Sequence, residues 1–497
     1  MFEQQPVVRT TGGIVRGFVD RTAAVFRGIP YARPPVGALR FAAPAPPERW
    51  EGVRATCEFG PRVPQSGPLP ADPSPQGTDW LTLNVCTPDP GRAGLPVLVW
   101  IHGGGYISGN SGDPLYDPVA LARAGLVVVS VNYRVGAEGF AHLDGAPANR
   151  AFLDQIAALR WVRRNIARFG GDPDRVTVAG QSAGAGSVAA LLTMDTARGL
   201  FRRAIAHSVP GNLCTPALAA EVSVELARLL GTGSTAAALA ETDPWHLAAA
   251  VTDLGAALPQ HLPRWGRLAA SGIATVPVVD GDVLSAPPWS ALASRRAEGV
   301  DLLVGHTRDE FRLFSVLSGR HGTFTGEEAS HHLELFAPPS GPAGYRAAHP
   351  EATPSDLLEA VSSDALFRIP SLHLAEANTT AGGTLYLFEL ALPAPAMNGA
   401  LGACHGLDLP LAFGTLSSPM GEQFLGTPPA PEVVQASREL QEAWVRFTTT
   451  GDPGWPAFTP RHQLTRVLDV HSTTTRYPEQ SSRDIWAGHP LTAYDIL

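Results

Sequence analysis

The stretch Val176–Val188, VTVAGQSAGAGSV, passes from β-branched residues straight into a run of Gly, Ala and Ser. Its first half suits a strand and its second half a helix start. Ser182 stands between Gly180 and Gly184 in a G-x-S-x-G pattern. After a strand and before a helix, that pattern is a nucleophile elbow, a sharp turn that lifts a serine hydroxyl clear of the sheet edge. Side chains two residues to either side would collide in such a turn, which accounts for both glycines. The N–H of Ala183, at the helix start, then aims at a developing oxyanion with help from the helix dipole.

The pentapeptide by itself is weak evidence, and its surroundings strengthen it. Apolar, β-rich stretches recur at 95–101 (LPVLVWI), 125–133 (GLVVVSVNY), 175–180 (RVTVAG), 204–208 (AIAHS), 300–305 (VDLLVG) and 385–390 (LYLFEL). Near-continuous apolarity suits strands buried on both faces of a parallel sheet. Between the second and third, Leu153, Ile156, Leu159, Val162, Ile166 and Phe169 mark one face of a helix that Gly170 and Gly171 stop. Strand, helix, strand, helix implies an α/β fold with a large, mostly parallel, twisted central sheet flanked by helices. Helix-prone, Ala-rich residues 215–300 and 315–380 read as cap insertions, and 64–77 as a surface loop. With no internal repeat and no clean boundary, residues 1–497 read as a single domain.

Composition removes whole function classes. The net charge of −9 is spread without long single-sign runs, so nucleic acid and anionic membranes are disfavoured as partners. All 37 basic residues are Arg. Without Lys there is no Walker A lysine, no pyridoxal Schiff base and no S-x-x-K hydrolase. Cys57, Cys86, Cys214 and Cys404 form no C-x-x-C pair, which argues against zinc ribbons and thioredoxin chemistry. The first residues, MFEQQPVVRT, show no secretory pattern, and no apolar run approaches the ~20 residues of a membrane helix. The expectation is a cytoplasmic protein with no obligate protein partner, cofactor or metal.

A second oxyanion donor is expected from IHGGGY: His102-Gly103-Gly104-Gly105-Tyr106 follows a buried strand, as an H-G-G-G loop does. A tight turn or phosphate loop is the competing reading, and the missing Lys weakens the latter. His102 reads as a structural residue, since it precedes Ser182 and the chain order in this fold is Ser, acid, His. Nine of the 15 histidines follow residue 310, so the base must be found among several.

Eight segments decide it: FRGIPYARPPVGALRF (26–41), HGGGY (102–106), VNYRVGAEGF (131–140), FGGDPDRVTVAGQSAGA (169–185), PVVDGDVL (277–284), GHTRDEF (305–311), HGLDLPLAFG (405–414) and ELQEAWVRFTTTGDPGWP (439–456). Together they resemble the type-B carboxylesterase family of α/β-hydrolases, in the family's order and across nearly the whole chain. The resemblance implies Ser182 as nucleophile, Glu310 as acid and His405 as base. It implies Gly104, Gly105 and Ala183 as oxyanion donors, and Ser208 as a partner of the acid. Asp309 is the competitor for the acid and reads as a surface or turn residue, and Ser208 reads almost as well as a buried structural serine. His306, His373, His331 and His332 match no motif and read as core or surface residues.

The chain also departs from the pattern. The family's loop disulfide cannot form, because its two positions read as Val63 and Trp80. The loop 64–79 has no aromatic residue, and Gln181 replaces the Glu that cholinesterases carry before the nucleophile. Both changes argue against quaternary-ammonium substrates. Ala151 and Phe152 replace the Gly and Leu of the family's N-x-G-L-x-D-Q pattern, with no consequence legible in the sequence. The expected activity is hydrolysis of neutral aryl and short-to-medium-chain carboxylic esters, tertiary-alcohol esters included. An amidase or carbamate hydrolase with the same triad, or a lipase, is the alternative.

Overall fold

A computed structural model describes residues 5–66, 76–294 and 300–497; much of the expected 64–77 loop lies outside them. Eleven strands form one sheet: β1 (Phe18–Asp20), β2 (Ala23–Pro30), β3 (Thr82–Thr87), β4 (Leu95–Ile101), β5 (Val127–Val131), β6 (Gly171–Gln181), β7 (Arg203–His207), β8 (Asp301–Thr307), β9 (Leu385–Leu390), β10 (Leu464–Leu468) and β11 (Thr473–Arg476). Their spatial order is β11-β10-β9-β8-β7-β6-β4-β5-β3-β2-β1. From β10 to β5 every pairing is parallel, and only the two margins are antiparallel. All six apolar stretches read from the sequence are parallel strands of this centre. A separate small sheet joins Val7–Arg9, Ile14–Arg16 and Val53–Ala55.

Strand β4 shows why these segments are apolar without interruption. Its successive side chains point to opposite faces. Val97, Val99 and Ile101 enter a core shared with helices α1 (Arg150–Asn165) and α2 (Ala183–Leu191), while Leu98 and Trp100 enter a second core. The helix read from 153 to 169 runs as α1 and tightens to a 3₁₀ turn at Ile166–Phe169, which Gly170 ends at φ 87°. A third core lies under α3 (Pro216–Leu230) and α4 (Pro244–Ala270), which bends at Gly266. Further on, α5 (Arg312–Leu317), α6 (Gly326–Phe336), α7 (Pro354–Ser363) and α8 (Ile369–Thr380) precede β9. Helices α9 (Asp408–Phe413) and α10 (Pro431–Thr450) pack on the Trp100 face.

Phe152 has a structural account. Its ring meets Phe140 edge-on at 5.6 Å, and Phe140 meets Tyr106 edge-on at 5.0 Å. An aromatic chain thus props the glycine loop from helix α1. The same helix carries a fully buried ion pair, in which Arg134 Nε and Nη2 donate to Asp154 at 2.8 and 2.7 Å and the Arg134 backbone N–H adds a third bond at 3.1 Å. The bidentate fork needs a guanidinium, which an ammonium cannot replace. Breaking such a pair strands a buried charge. Asp154→Ala is therefore expected to destabilise the fold by about 3–5 kcal/mol, read as a shift in the urea midpoint; a change below about 1 kcal/mol would contradict this account.

Candidate active site

At the end of β6 the chain reverses at Ser182, whose φ of 55° and ψ of −127° lie outside the favoured regions for a residue with a side chain. Two bonds hold the turn: Ser182 N–H donates to the His207 carbonyl and Gly186 N–H to the Ser182 carbonyl, each at 2.9 Å. The sequence argument for the flanking glycines holds in detail. A Cβ at Gly180 would stand 2.4 Å from the Gly184 backbone, and one at Gly184 would stand 2.1 Å from the Ile101 carbonyl oxygen. Helix α2 starts at the next residue, so its unbonded N-terminal amides begin beside Ser182.

The loop after β4 returns on itself. Ile107 and Ser108 both donate backbone N–H groups to the Gly104 carbonyl, at 3.1 and 3.0 Å. Gly104 adopts φ 113°, and a Cβ there would meet the Ser108 carbonyl oxygen at 2.2 Å. Turned this way, the N–H groups of Gly104, Gly105 and Ala183 have no acceptor among the described residues. His102 is structural, as read: it is buried, stacks on Tyr133 at 4.4 Å, and burial drives its pKa down to about 4. A neutral ring is what a site lacking a nearby carboxylate permits.

Glu310 follows β8 and is fully buried. Its Oε2 meets His405 Nδ1 at 2.6 Å, while Oε1 accepts from the Ser208 hydroxyl at 2.6 Å and the Thr307 N–H at 2.8 Å. Burial opposes ionisation, yet His405 and these two donors outweigh it and hold the carboxyl below its ordinary range. With Nδ1–H turned to Glu310, His405 Nε2 is the acceptor, and Gln181 Nε2 donates to it at 3.1 Å. Ser182, His405, Gln181, Gly104, Gly105 and Ala183 line one cavity of about 840 Å³. Phe367, 4.3 Å from the His405 ring, and Phe314, at 5.5 Å, form its apolar wall there.

The structure corrects some readings and adds others. His332 lines this cavity, with its pKa lowered by burial to about 4. Asp309, read as a surface or turn residue, fastens the loop that bears His405: its N–H donates to the Ala403 carbonyl and its carboxylate accepts the Ala403 N–H, both at 2.9 Å. Sequence reasoning missed a buried relay in which Trp444 Nε1 donates to His207 Nε2 at 3.1 Å and His207 Nδ1 meets Asp408 at 2.6 Å. Since His207 also holds the Ser182 amide, this relay ties the elbow to the helix following His405. Asp408 is visible in the H-G-L-D motif, whereas nothing in the sequence points to His207 as its partner. Among the described residues, no cluster of His, Cys, Asp or Glu could hold a metal, and all four cysteines are free. No described helix is long and apolar enough to cross a membrane.

A mostly parallel sheet, a strained serine at a strand end and a Glu–His pair opening onto one cavity define an α/β-hydrolase. Residues 4–336 match the carboxylesterase family model. The chain is 36% identical to the para-nitrobenzyl esterase of Bacillus subtilis, over 96% of this chain and 97% of that one. It is 35% identical to the probable N-octanoylanthranilate hydrolase of Rhodococcus erythropolis, over 92% and 96%. The structure of a Geobacillus stearothermophilus carboxylesterase superposes with a TM-score of 0.85 at 34% identity, covering 97% and 99% of the two chains. The chain belongs to the carboxylesterase family and is a carboxylic-ester hydrolase.

The depressed Glu310 pKa has a stability consequence. Its stabilisation is fully present above the ordinary carboxyl range and is lost as pH falls through the lower, folded value. Removing the Ser208 hydroxyl raises that folded value. Ser208→Ala should therefore lose about 1.5–3 kcal/mol at neutral pH, yet lose less further stability than the parent across the acid range, its loss ending at a higher pH. Urea unfolding across the acid range measures this; superposable curves for the two proteins would count against the hydrogen bond's role.

Proposed function

We propose that this esterase works through an acyl-enzyme formed on Ser182. The observation that carries the reading is the 2.6 Å bond between Glu310 and His405, which turns His405 Nε2 into the cavity that Ser182 lines. In this reading the Ser182 hydroxyl attacks the ester carbonyl as His405 Nε2 takes its proton, and the Gln181 amide gives up that lone pair as the hydroxyl approaches. Glu310 steadies the imidazolium, and the N–H groups of Gly104, Gly105 and Ala183 receive the oxyanion. His405 returns the proton to the leaving alcohol. It then draws one from water, which cleaves the acyl-enzyme. Residues 1–497 form one catalytic domain, with the helices of 215–300 and 315–380 as its cap.

The favoured substrates are neutral aryl and short-to-medium-chain esters. The wall is apolar and aromatic, the residue before the nucleophile is the neutral Gln181, and the glycine loop leaves space beside the ester alcohol. Resemblance to enzymes with this loop extends the range to some tertiary-alcohol esters. Asp113 also lines the cavity, but its carboxylate caps the turn at Leu115, accepting that N–H at 2.9 Å. The name of the N-octanoylanthranilate hydrolase relative favours a second reading, cleavage of an N-acyl bond by the same residues.

Ser182→Ala is expected to lose at least about 10,000-fold in kcat. An organophosphate should add its mass to the peptide containing Ser182; labelling of another serine would sink the assignment. For substrate range, kcat/KM is compared for nitrophenyl butyrate, tert-butyl acetate and butyrylcholine at equal ionic strength. The aryl ester should rank first, with measurable tert-butyl acetate turnover. Preference for butyrylcholine would refute the pocket reading while leaving the nucleophile untouched.

A further inference from the structure

The polar side chains in the wall of the substrate cavity are mostly committed to the protein itself. Asp113 caps Leu115, Ser271 donates to the Leu268 carbonyl at 2.8 Å, Ser315 donates to Glu359, and Gln181 bonds His405. Asn212 stands apart. It lines the same cavity, is 5% exposed, and its Oδ1 is buried with no hydrogen-bond partner among the described residues. The adjoining wall is apolar, formed by Pro210, Leu366 and Phe367. A carboxamide there costs desolvation that an aliphatic residue of similar size would not incur.

Gly211 N–H donates to the Leu366 carbonyl at 2.8 Å, Leu213 N–H to the Gly211 carbonyl at 3.1 Å, and Tyr494 N–H to the Leu213 carbonyl. The backbone on both sides of Asn212 is therefore pinned. The hydroxyl of Tyr106 is also buried without a partner, but it packs against helix α2, 1.9 Å from where a Cβ on Gly186 would stand. Asn212 is thus a buried polar group on a pinned backbone, with unused hydrogen-bonding capacity, in a wall shared with the candidate nucleophile and base.

Resting on the esterase reading above, we infer that Asn212 is a specificity-determining residue. It recognises esters bearing a second hydrogen-bonding group, such as a hydroxyl, carbonyl or amide, besides the scissile ester. The amide can donate to an oxygen of that group or accept from its O–H or N–H. A site built around such a bond discriminates strongly against an analogue lacking it, because the protein's own polar group is then left unpaired.

The test uses two isosteric pairs, one placing the extra hydroxyl on the acyl side and one on the alcohol side. The acyl pair is nitrophenyl 3-hydroxybutanoate and nitrophenyl 3-methylbutanoate. The alcohol pair is 2-hydroxypropyl butanoate and isobutyl butanoate, followed by acid release. In Asn212→Leu, the kcat/KM ratio of hydroxylated to methylated ester should fall at least about tenfold in one pair, and that pair locates the group. The melting temperature should hold, since no internal hydrogen bond is lost, and Asn212→Ser should recover part of the ratio. Unchanged ratios in both pairs, or an equal loss on all four esters, overturn the inference. Failure of the wild-type protein to hydrolyse any of the four esters would instead overturn the esterase reading on which it rests.

Discussion

Everything at this site depends on a residue with a side chain being held at φ 55°. That conformation is costly for a non-glycine residue and persists only where the surroundings over-determine it. Here they do. The Ser182 amide is fixed by the His207 carbonyl, its carbonyl by Gly186, and the flanking glycines allow β6 and α2 to approach within contact that any Cβ would prevent. His207 is in turn fixed by Asp408, three residues past His405 at the start of helix α9. The strain in the elbow and the placement of the His405 loop are therefore parts of one tethered unit.

Burial decides which groups in the neighbourhood carry charge. Glu310 and His102 are both buried, and they end in opposite states. Glu310 has His405, a hydroxyl and an amide around it, enough to favour the anion despite desolvation. His102 has a single carbonyl acceptor and a stacked tyrosine, and remains neutral. The same rule separates the buried arginines. Both stay charged at neutral pH, but Arg134 grips Asp154 and has its pKa raised, whereas Arg150, bonded only to carbonyl oxygens, has its pKa lowered by burial to about 9. Each of these geometries uses the guanidinium fork, which gives the all-arginine composition structural weight at particular positions.

The parallel strands were legible because each is buried on both faces and so leaves an unbroken apolar run of characteristic length. The elbow was legible because steric exclusion demands glycine at fixed offsets. Glu310 and His405 were a different matter. Spacing could not choose among nine late histidines, and motif resemblance singled out His405. Its partnership with Glu310 is a contact across 95 positions of chain. Asp309 was read as a turn residue because a carboxylate beside an acid carries no signal of its own; its bond to Ala403 exists only where the two loops meet.

By itself the sequence determined the sheet's buried strands, the serine's strained turn and the glycine loop, because local sterics and periodicity fix each of them within a few residues. Tertiary structure alone decided the Trp444–His207–Asp408 relay, the aromatic prop from Phe152 to Tyr106 and the unpartnered state of Asn212. Each of these is a property of side chains brought together from distant strands and helices. Whether a buried polar atom finds a partner depends on everything that packs around it, and no local pattern encodes that.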